Sequence, residues 1–204
     1  MVGSKSFLSL TITFSLLLQL QLGSTDNQYT DYVFLFDNED IFEDCPEMPD
    51  NHGIDAALST DNLEFDLNEE YLVDVSGNST VVWEGVQPSD RIEFRADMYQ
   101  EVGGLGWLLT PFSLVSEDLC IELFEKDTLF YKVWGQHVPK DEQKCFNVFG
   151  HTYHYEPFAV KLTFDGRNLF GRYKIVGRME AFDEQGVKRP KTICSEVTGE
   201  ITYA

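Results

Sequence analysis

Alternation between apolar and charged residues over short segments is the feature that most constrains the fold of this chain. From Ile92 to Met98, apolar residues occupy every second position, and Glu93, Arg95 and Asp97 occupy the positions between them. A period of two is that of a β-strand with one buried and one solvated face. Similar patterns predict further strands within 63–67, 71–75, 80–83, 107–109, 129–134, 158–164, 173–182 and 197–203. We therefore expect about seven to nine short strands.

Helix signals are confined to one segment, 116–126. Ser116 can cap a helix there, with Glu117 and Asp118 in its first turn and Leu119 and Leu123 on one face. Short strands with turns at intervals of roughly ten residues, and no helices between them, are typical of a β-sandwich or barrel. The sequence therefore predicts an all-β fold.

The N-terminus has the three parts of a secretory signal peptide. Lys5 precedes an apolar stretch over 7–22, and the small residues Gly23 and Ser24 follow it. A membrane anchor is the alternative, but the stretch is short and acidic residues follow it instead of a basic cluster. We predict a signal peptide over 1–23, an acidic leader over 24–44 that could add one edge strand, and one domain over 45–204. The mature protein is expected to be secreted and extracellular.

The charge balance excludes whole classes of partner. The chain has 15 Lys and Arg against 35 Asp and Glu, a net charge of -20 and a pI near 4.3. A nucleic-acid-binding protein needs a basic face for phosphate, so no nucleic-acid partner is expected. Carboxylates titrate near pH 4 to 5, which removes most of the net charge. A receptor or an anionic membrane surface is therefore a candidate partner at acidic pH.

The cysteine count fits an oxidising compartment. Cys45, Cys120, Cys145 and Cys194 make an even set with no Cys-x-x-Cys spacing, which favours two disulfides over a zinc site. Three pairings are possible from the residues alone.

Asn78 begins an Asn-Ser-Thr acceptor for N-glycosylation. The preceding Ser76-Gly77 suggests a turn, in which a glycan could be accommodated. Secretion would expose this asparagine to the glycosylation machinery, and we predict that it is modified.

Signals for catalysis are missing from the sequence. His151 and His154 are the closest pair of histidines, and on a strand they would point to opposite faces without a third ligand. Nucleophile, zinc-protease and dinucleotide motifs are not found. We therefore expect no metal, no cofactor and no enzymatic activity.

The aromatic residues point instead to an apolar cavity. They make up 14% of the chain, and several fall in loops or near strand ends, as expected at the mouth of a ligand cavity between two sheets. The predicted inward-facing residues are Ile92, Phe94, Met98, Phe158, Val160, Leu162, Phe164, Tyr173 and Ile175. The predicted rim residues are Trp107, Phe112, Leu123 and Trp134.

Several short motifs follow one another in a distinctive order. They are Cys45-Pro46-Glu47, Gly77 to Val81, Gly106-Trp107 ahead of Cys120, Cys145 with Gly150 to Tyr153, and Gly171 to Tyr173 ahead of Cys194. This order resembles the ML lipid-recognition superfamily, in particular its ganglioside-activator branch and the insect chemosensory-type relatives. The chain departs from the pattern at Phe146, where the family often has proline, and it has fewer cysteines than the ganglioside activator.

This resemblance implies an immunoglobulin-like two-sheet β-sandwich, splayed to admit a lipid or other apolar small molecule, without catalysis. It also implies the pairings Cys45–Cys194 and Cys120–Cys145.

The predicted function is therefore that of a carrier or presenter of an apolar ligand. The insect relatives suggest a chemosensory role. The alternative is a secreted β-sandwich that binds a protein partner through its surface and has a filled interior. An enzyme would instead require convergent titratable residues in a pocket.

Overall fold

The computed structural model describes residues 30–204. The predicted signal peptide and the first residues of the acidic leader lie outside the described residues. Nine strands form two antiparallel sheets, of six and three strands, in the described part of the chain. The strands are β1 Thr30–Phe36, β2 Leu58–Leu67, β3 Val73–Val81, β4 Arg91–Val102, β5 Gly106–Ser116, β6 Thr152–Val160, β7 Thr163–Gly166, β8 Gly171–Phe182 and β9 Ile193–Tyr203.

The six-stranded sheet has the order β5-β4-β8-β9-β1-β7, and the three-stranded sheet has the order β2-β3-β6. Their inner faces carry the buried apolar side chains, including Phe34, Val73, Ile92, Tyr153 and Ile201. This arrangement confirms the predicted all-β two-sheet sandwich. The alternating pattern of Ile92 to Met98 lies on β4, which pairs with both β5 and β8.

The acidic leader contributes more than an edge strand. β1 pairs with β9 on one side and with β7 on the other, so it lies inside the six-stranded sheet. Phe34 and Phe36 are fully buried in the core, and their rings meet edge to face at 5.1 Å. The sandwich therefore includes Thr30–Phe36, a segment predicted to lie in the leader ahead of Cys45.

Three other predicted elements differ in the structure. The alternating segment 158–164 is divided between β6 in one sheet and β7 in the other, because the chain crosses between the sheets at 161–162. The segment predicted as a strand over 129–134 forms a short helix, which we call α2 (Leu129–Val133). An earlier helix, α1 (Leu119–Glu122), is capped by Asp118 and not by Ser116, which ends β5. Two 3-10 turns lie at Ile54–Ala56 and Gly135–His137.

Both disulfides implied by the family resemblance are present. Cys45 bonds to Cys194 and Cys120 bonds to Cys145. The first joins the end of the leader to β9 and packs with Val176 on the outer face of the six-stranded sheet. The second closes the segment that carries α1 and α2.

Asn78 lies on a strand and not in a turn. It is within β3, next to a register irregularity, and Gly77 has a φ of 104° there. A Cβ at Gly77 would lie 2.1 Å from the carbonyl oxygen of Asn62, so glycine is needed at this close approach. Successive side chains of a strand point to opposite faces. Ser79 is buried and Asn78 is half-buried, so the Asn78 side chain faces outward.

Candidate functional site

An apolar cavity of about 470 Å³ lies against the inner face of the six-stranded sheet. Its floor is formed by β4, β8 and β9, which alternate their side chains so that every second residue points inward. The floor residues are Phe94, Ala96, Met98, Ile175, Met179 and Ile193. The volume is in the range of about 300 to 1,000 Å³ typical of small-molecule sites.

The opposite wall is a helical segment and not the three-stranded sheet. Leu119 and Leu123 come from α1 and its C-terminus, and Phe130 and Val133 come from α2. Leu58 is the contribution of the three-stranded sheet among the described residues that line the cavity. The cavity therefore lies beside the packed interface of the two sheets.

Local signals fix the two short helices of this wall. The Asp118 carboxylate accepts a hydrogen bond from the backbone N–H of Cys120 at 3.0 Å, and Thr128 Oγ1 accepts one from Tyr131 at 3.1 Å. These caps satisfy N–H groups at the helix starts that have no partner within the helix. Helices of four and five residues are too short to be stable alone, so their position depends on packing and on the Cys120–Cys145 bond.

Aromatic contacts hold Trp134 in the cavity wall. Its Nε1 donates to the Tyr155 hydroxyl at 3.2 Å. Its ring lies edge to face against Tyr155 and Phe158, both at 5.4 Å, and against Phe42 at 5.9 Å. Burial raises the pKa of Tyr155, so this hydroxyl stays neutral and remains an acceptor for the indole. The indole position is thus determined by one hydrogen bond and three ring contacts.

Phe94 and Phe130 connect the floor to the helical wall. Their rings meet edge to face at 5.1 Å. A Cβ at Gly177 would lie 3.3 Å from the Phe94 ring, so the missing side chain at 177 leaves room for this ring. A Cβ at Gly135 would lie 1.8 Å from the Leu123 carbonyl oxygen, which allows the chain after α2 to approach α1 closely.

The cavity lining is almost entirely hydrocarbon. The polar residues among the described lining residues are Ser113 and Ser195, and none of the residues that line it is charged. His137 lies behind Phe158, with its ring stacked at 3.9 Å, and burial lowers its pKa. Ser113 lies opposite the outer-face residue Asp97, so the lining offers a ligand apolar contact and the hydroxyl of Ser195.

The structure brings most of the predicted ligand-binding residues to this cavity. The predicted residues that line it are Phe94, Met98, Phe112, Leu123, Trp134, Leu162, Phe164 and Ile175.

Five predicted residues are elsewhere. Ile92, Phe158, Val160 and Tyr173 are buried in the packed core between the sheets. Trp107 was predicted at the rim, but its register opposite Glu101 places it on the outer face, where the Lys174 ammonium lies 5.8 Å from its ring. The alternation of apolar and polar residues shows which side chains of a strand face inward. It does not show whether an inward side chain lies in the packed core or in the cavity wall.

Several lining residues were missed by the sequence prediction. Phe130 and Val133 were assigned to a strand, although Thr128 was a readable helix cap. Phe42 lies in the acidic leader, where no ligand-binding residue was predicted, and Phe146 was noted as the position where the family often has proline. Ser195 carried no signal, because a serine on an alternating strand normally faces water.

A second cleft, of about 680 Å³, lies on the outer face of the six-stranded sheet. Most of the charged residues that line it are in ion pairs. Arg91 pairs with Glu93 at 2.6 Å, and both Arg95 and Arg178 bond to Asp97. Arg95 lowers the pKa of Asp97, so this carboxylate stays ionised. The cleft is a network of ion pairs on the surface.

Comparison with protein-family models, with curated proteins and with solved structures finds no match to this chain. Within residues 30–204, no helix is long and apolar enough to cross a membrane. The same residues contain no group of three or more His, Cys, Asp or Glu placed to hold a metal ion.

Proposed function

We propose that this protein is a secreted, non-enzymatic carrier or presenter of an apolar small molecule, held in the cavity between the six-stranded sheet and the helical segment. The observation that carries the proposal is the cavity itself, about 470 Å³ with a hydrocarbon lining. Burial of each ligand methylene contributes about 0.8 kcal/mol, so an aliphatic chain can bind without a charged anchor.

Membership of the ML lipid-recognition superfamily is part of this proposal. Its support is the order of the sequence motifs and the two disulfides, Cys45–Cys194 and Cys120–Cys145. A chemosensory role rests on the resemblance to the insect relatives. Secretion is supported by the disulfides and by the outward position of Asn78 on β3.

A second candidate is a module that binds a protein partner through its surface. The edge strand β5 exposes Leu108, Leu109, Phe112 and Val115, and such an edge could pair with another strand. This candidate requires a filled interior, and the cavity argues against it. The carrier is therefore the better-supported proposal.

Native mass spectrometry of the secreted protein, followed by organic extraction, tests the proposal directly. We expect a co-purifying apolar molecule, or saturable binding of a neutral fluorescent probe such as N-phenyl-1-naphthylamine. A protein that arrives without a ligand and does not bind the probe would refute the carrier function and favour the protein-binding module.

A matched pair of variants locates the binding. Ala96 lines the cavity floor, so Ala96→Phe should fill the space and weaken probe binding by at least about tenfold. Ala159 lies exposed on β6, so Ala159→Phe makes the same change outside the cavity and should leave the affinity unchanged. Equal effects of the two substitutions would show that the probe binds elsewhere.

A further inference from the structure

Ser195 is a polar group on an otherwise apolar cavity floor. It lies on β9 between Ile193 and Val197, which face the interior, and it lines the cavity. Its cross-strand partner on β8 is Gly177. Because Gly177 has no side chain, no side chain stands directly opposite Ser195 on β8, and the Phe94 ring occupies the space beside Gly177.

This hydroxyl has no hydrogen-bond partner among residues 30–204. Two hydroxyls of the packed interior have partners: Ser79 Oγ lies 3.0 Å from the Tyr155 hydroxyl, and the Tyr153 hydroxyl donates to the Lys144 carbonyl at 2.8 Å. The Ser116 hydroxyl has none among the same residues, but it is fully buried and does not line this cavity. Ser195 is partly exposed although its strand lies inside the sheet, so its open surface faces the cavity. A polar group left without a partner in an apolar site costs free energy, and a ligand that supplies the partner is favoured.

The same lining disfavours a charged group at this position. No Lys, Arg or His is among the residues that line the cavity, and the chain carries a net charge of -20. A carboxylate or phosphate would lose its hydration there without gaining a counter-charge. A neutral group that exchanges one hydrogen bond with a serine meets no such penalty.

On the basis of the proposed carrier function, we propose that the cavity selects a neutral, monopolar ligand, an alcohol or carbonyl-bearing aliphatic molecule, whose oxygen hydrogen-bonds to Ser195. Ser195 is then the residue that determines ligand class, and the surrounding hydrocarbon supplies most of the affinity. The ligand enters with its polar group towards the floor.

Competition against N-phenyl-1-naphthylamine with three ligands of equal chain length tests this assignment. Dodecan-1-ol should displace the probe from the wild-type protein about three- to tenfold better than dodecane, the range that one neutral hydrogen bond supplies. Dodecanoate at pH 7.5 should bind no better than dodecane, because its carboxylate must stay at the mouth.

Ser195→Ala should abolish the preference for the alcohol and leave the affinity for dodecane unchanged. Ser113→Ala is the matched control, because Ser113 lies opposite Asp97 on the exposed part of β5, so its hydroxyl faces away from the cavity, and the variant should keep the preference. Equal melting temperatures of the variants would show that both are folded.

The results separate this inference from the carrier function. Failure of the probe to bind the wild-type protein refutes the carrier function. Probe binding with no alcohol preference, a preference that survives Ser195→Ala, or a preference for dodecanoate overturns the role of Ser195 alone.

Discussion

The two disulfides should have different main effects. Removal of Cys45–Cys194 should lower stability more, and removal of Cys120–Cys145 should weaken ligand binding more. The Cys45–Cys194 bond joins residues 149 positions apart, whereas Cys120 and Cys145 are 25 positions apart. In the loop-closure model, a bond stabilises by restricting the unfolded chain, and the effect grows with the logarithm of the loop length. The model gives about 5 kcal/mol for the long loop and about 3.5 kcal/mol for the short loop.

Ligand binding should follow location instead of loop length. The Cys45–Cys194 bond packs with Val176 on the outer face, away from the cavity. The Cys120–Cys145 bond closes the segment whose short helices form the cavity wall. We therefore expect Cys120→Ala/Cys145→Ala to weaken probe binding by more than about tenfold, and Cys45→Ala/Cys194→Ala to change it by less than about twofold while folded.

Urea unfolding followed by tryptophan fluorescence measures the stabilities, and probe titration at low temperature measures binding in the fraction that is folded. We call Cys45→Ala/Cys194→Ala the long-loop variant and Cys120→Ala/Cys145→Ala the short-loop variant. The free energy of unfolding of the long-loop variant should be lower than that of the short-loop variant by about 1.5 kcal/mol. If the short-loop variant keeps full affinity, the helical segment does not depend on this bond. If the long-loop variant is the more stable one, restriction of the unfolded chain does not set these stabilities.

Three further predictions concern charge and modification. Asp90 is buried and bonds Arg189 at 2.7 and 2.8 Å, which lowers the pKa of its carboxyl. Its contribution to stability is complete above the unfolded pKa of about 3.9 and is lost as the pH falls through the lower folded pKa. Asp90→Asn should thus lower the free energy of unfolding by about 3 kcal/mol at pH 7, and by progressively less as the pH falls below about 3.9. Glu93→Gln, in an exposed pair with Arg91, should cost less than about 0.5 kcal/mol throughout. Thermal melts of both variants over this pH range check the difference. Peptide N-glycosidase should lower the mass of the secreted protein, Asn78→Gln should abolish that shift without changing the melting temperature, and an unmodified Asn78 would contradict the prediction. Binding to anionic liposomes should increase between pH 7 and 4.5 as carboxylates are protonated, and sedimentation that is constant over this range would contradict it.

The sequence predicted the strands well because most of them have one face towards the core. β4 and the end of β9 alternate cleanly, and both pair on each side as expected for internal strands. Alternation does not encode which sheet a strand joins. The segment 158–164 therefore looked continuous, although β6 ends at Val160 and β7 joins the other sheet.

The helical segment could not be predicted as reliably. A short apolar run such as Leu129 to Trp134 fits a strand or a buried helix equally well, and periodicity cannot separate them. The tertiary contacts decide: Phe130 meets Phe94, and Trp134 meets Tyr155, which is distant in sequence. Because this segment forms the cavity wall, the same ambiguity limited the prediction of the site.

The position of the cavity follows from the unequal sizes of the two sheets. Three strands cannot cover the inner face of six, so α1 and α2 cover the remainder of the larger sheet. Helices of four and five residues present no continuous ridge of side chains to fill that face, and space remains beside Phe94 and Met98. A ligand that binds only the folded protein and occupies this space stabilises it by about 2.7 kcal/mol at a hundredfold excess over Kd. Dodecan-1-ol should therefore raise the melting temperature of the wild-type protein more than that of Ala96→Phe, because in the variant the new ring already occupies the ligand's volume.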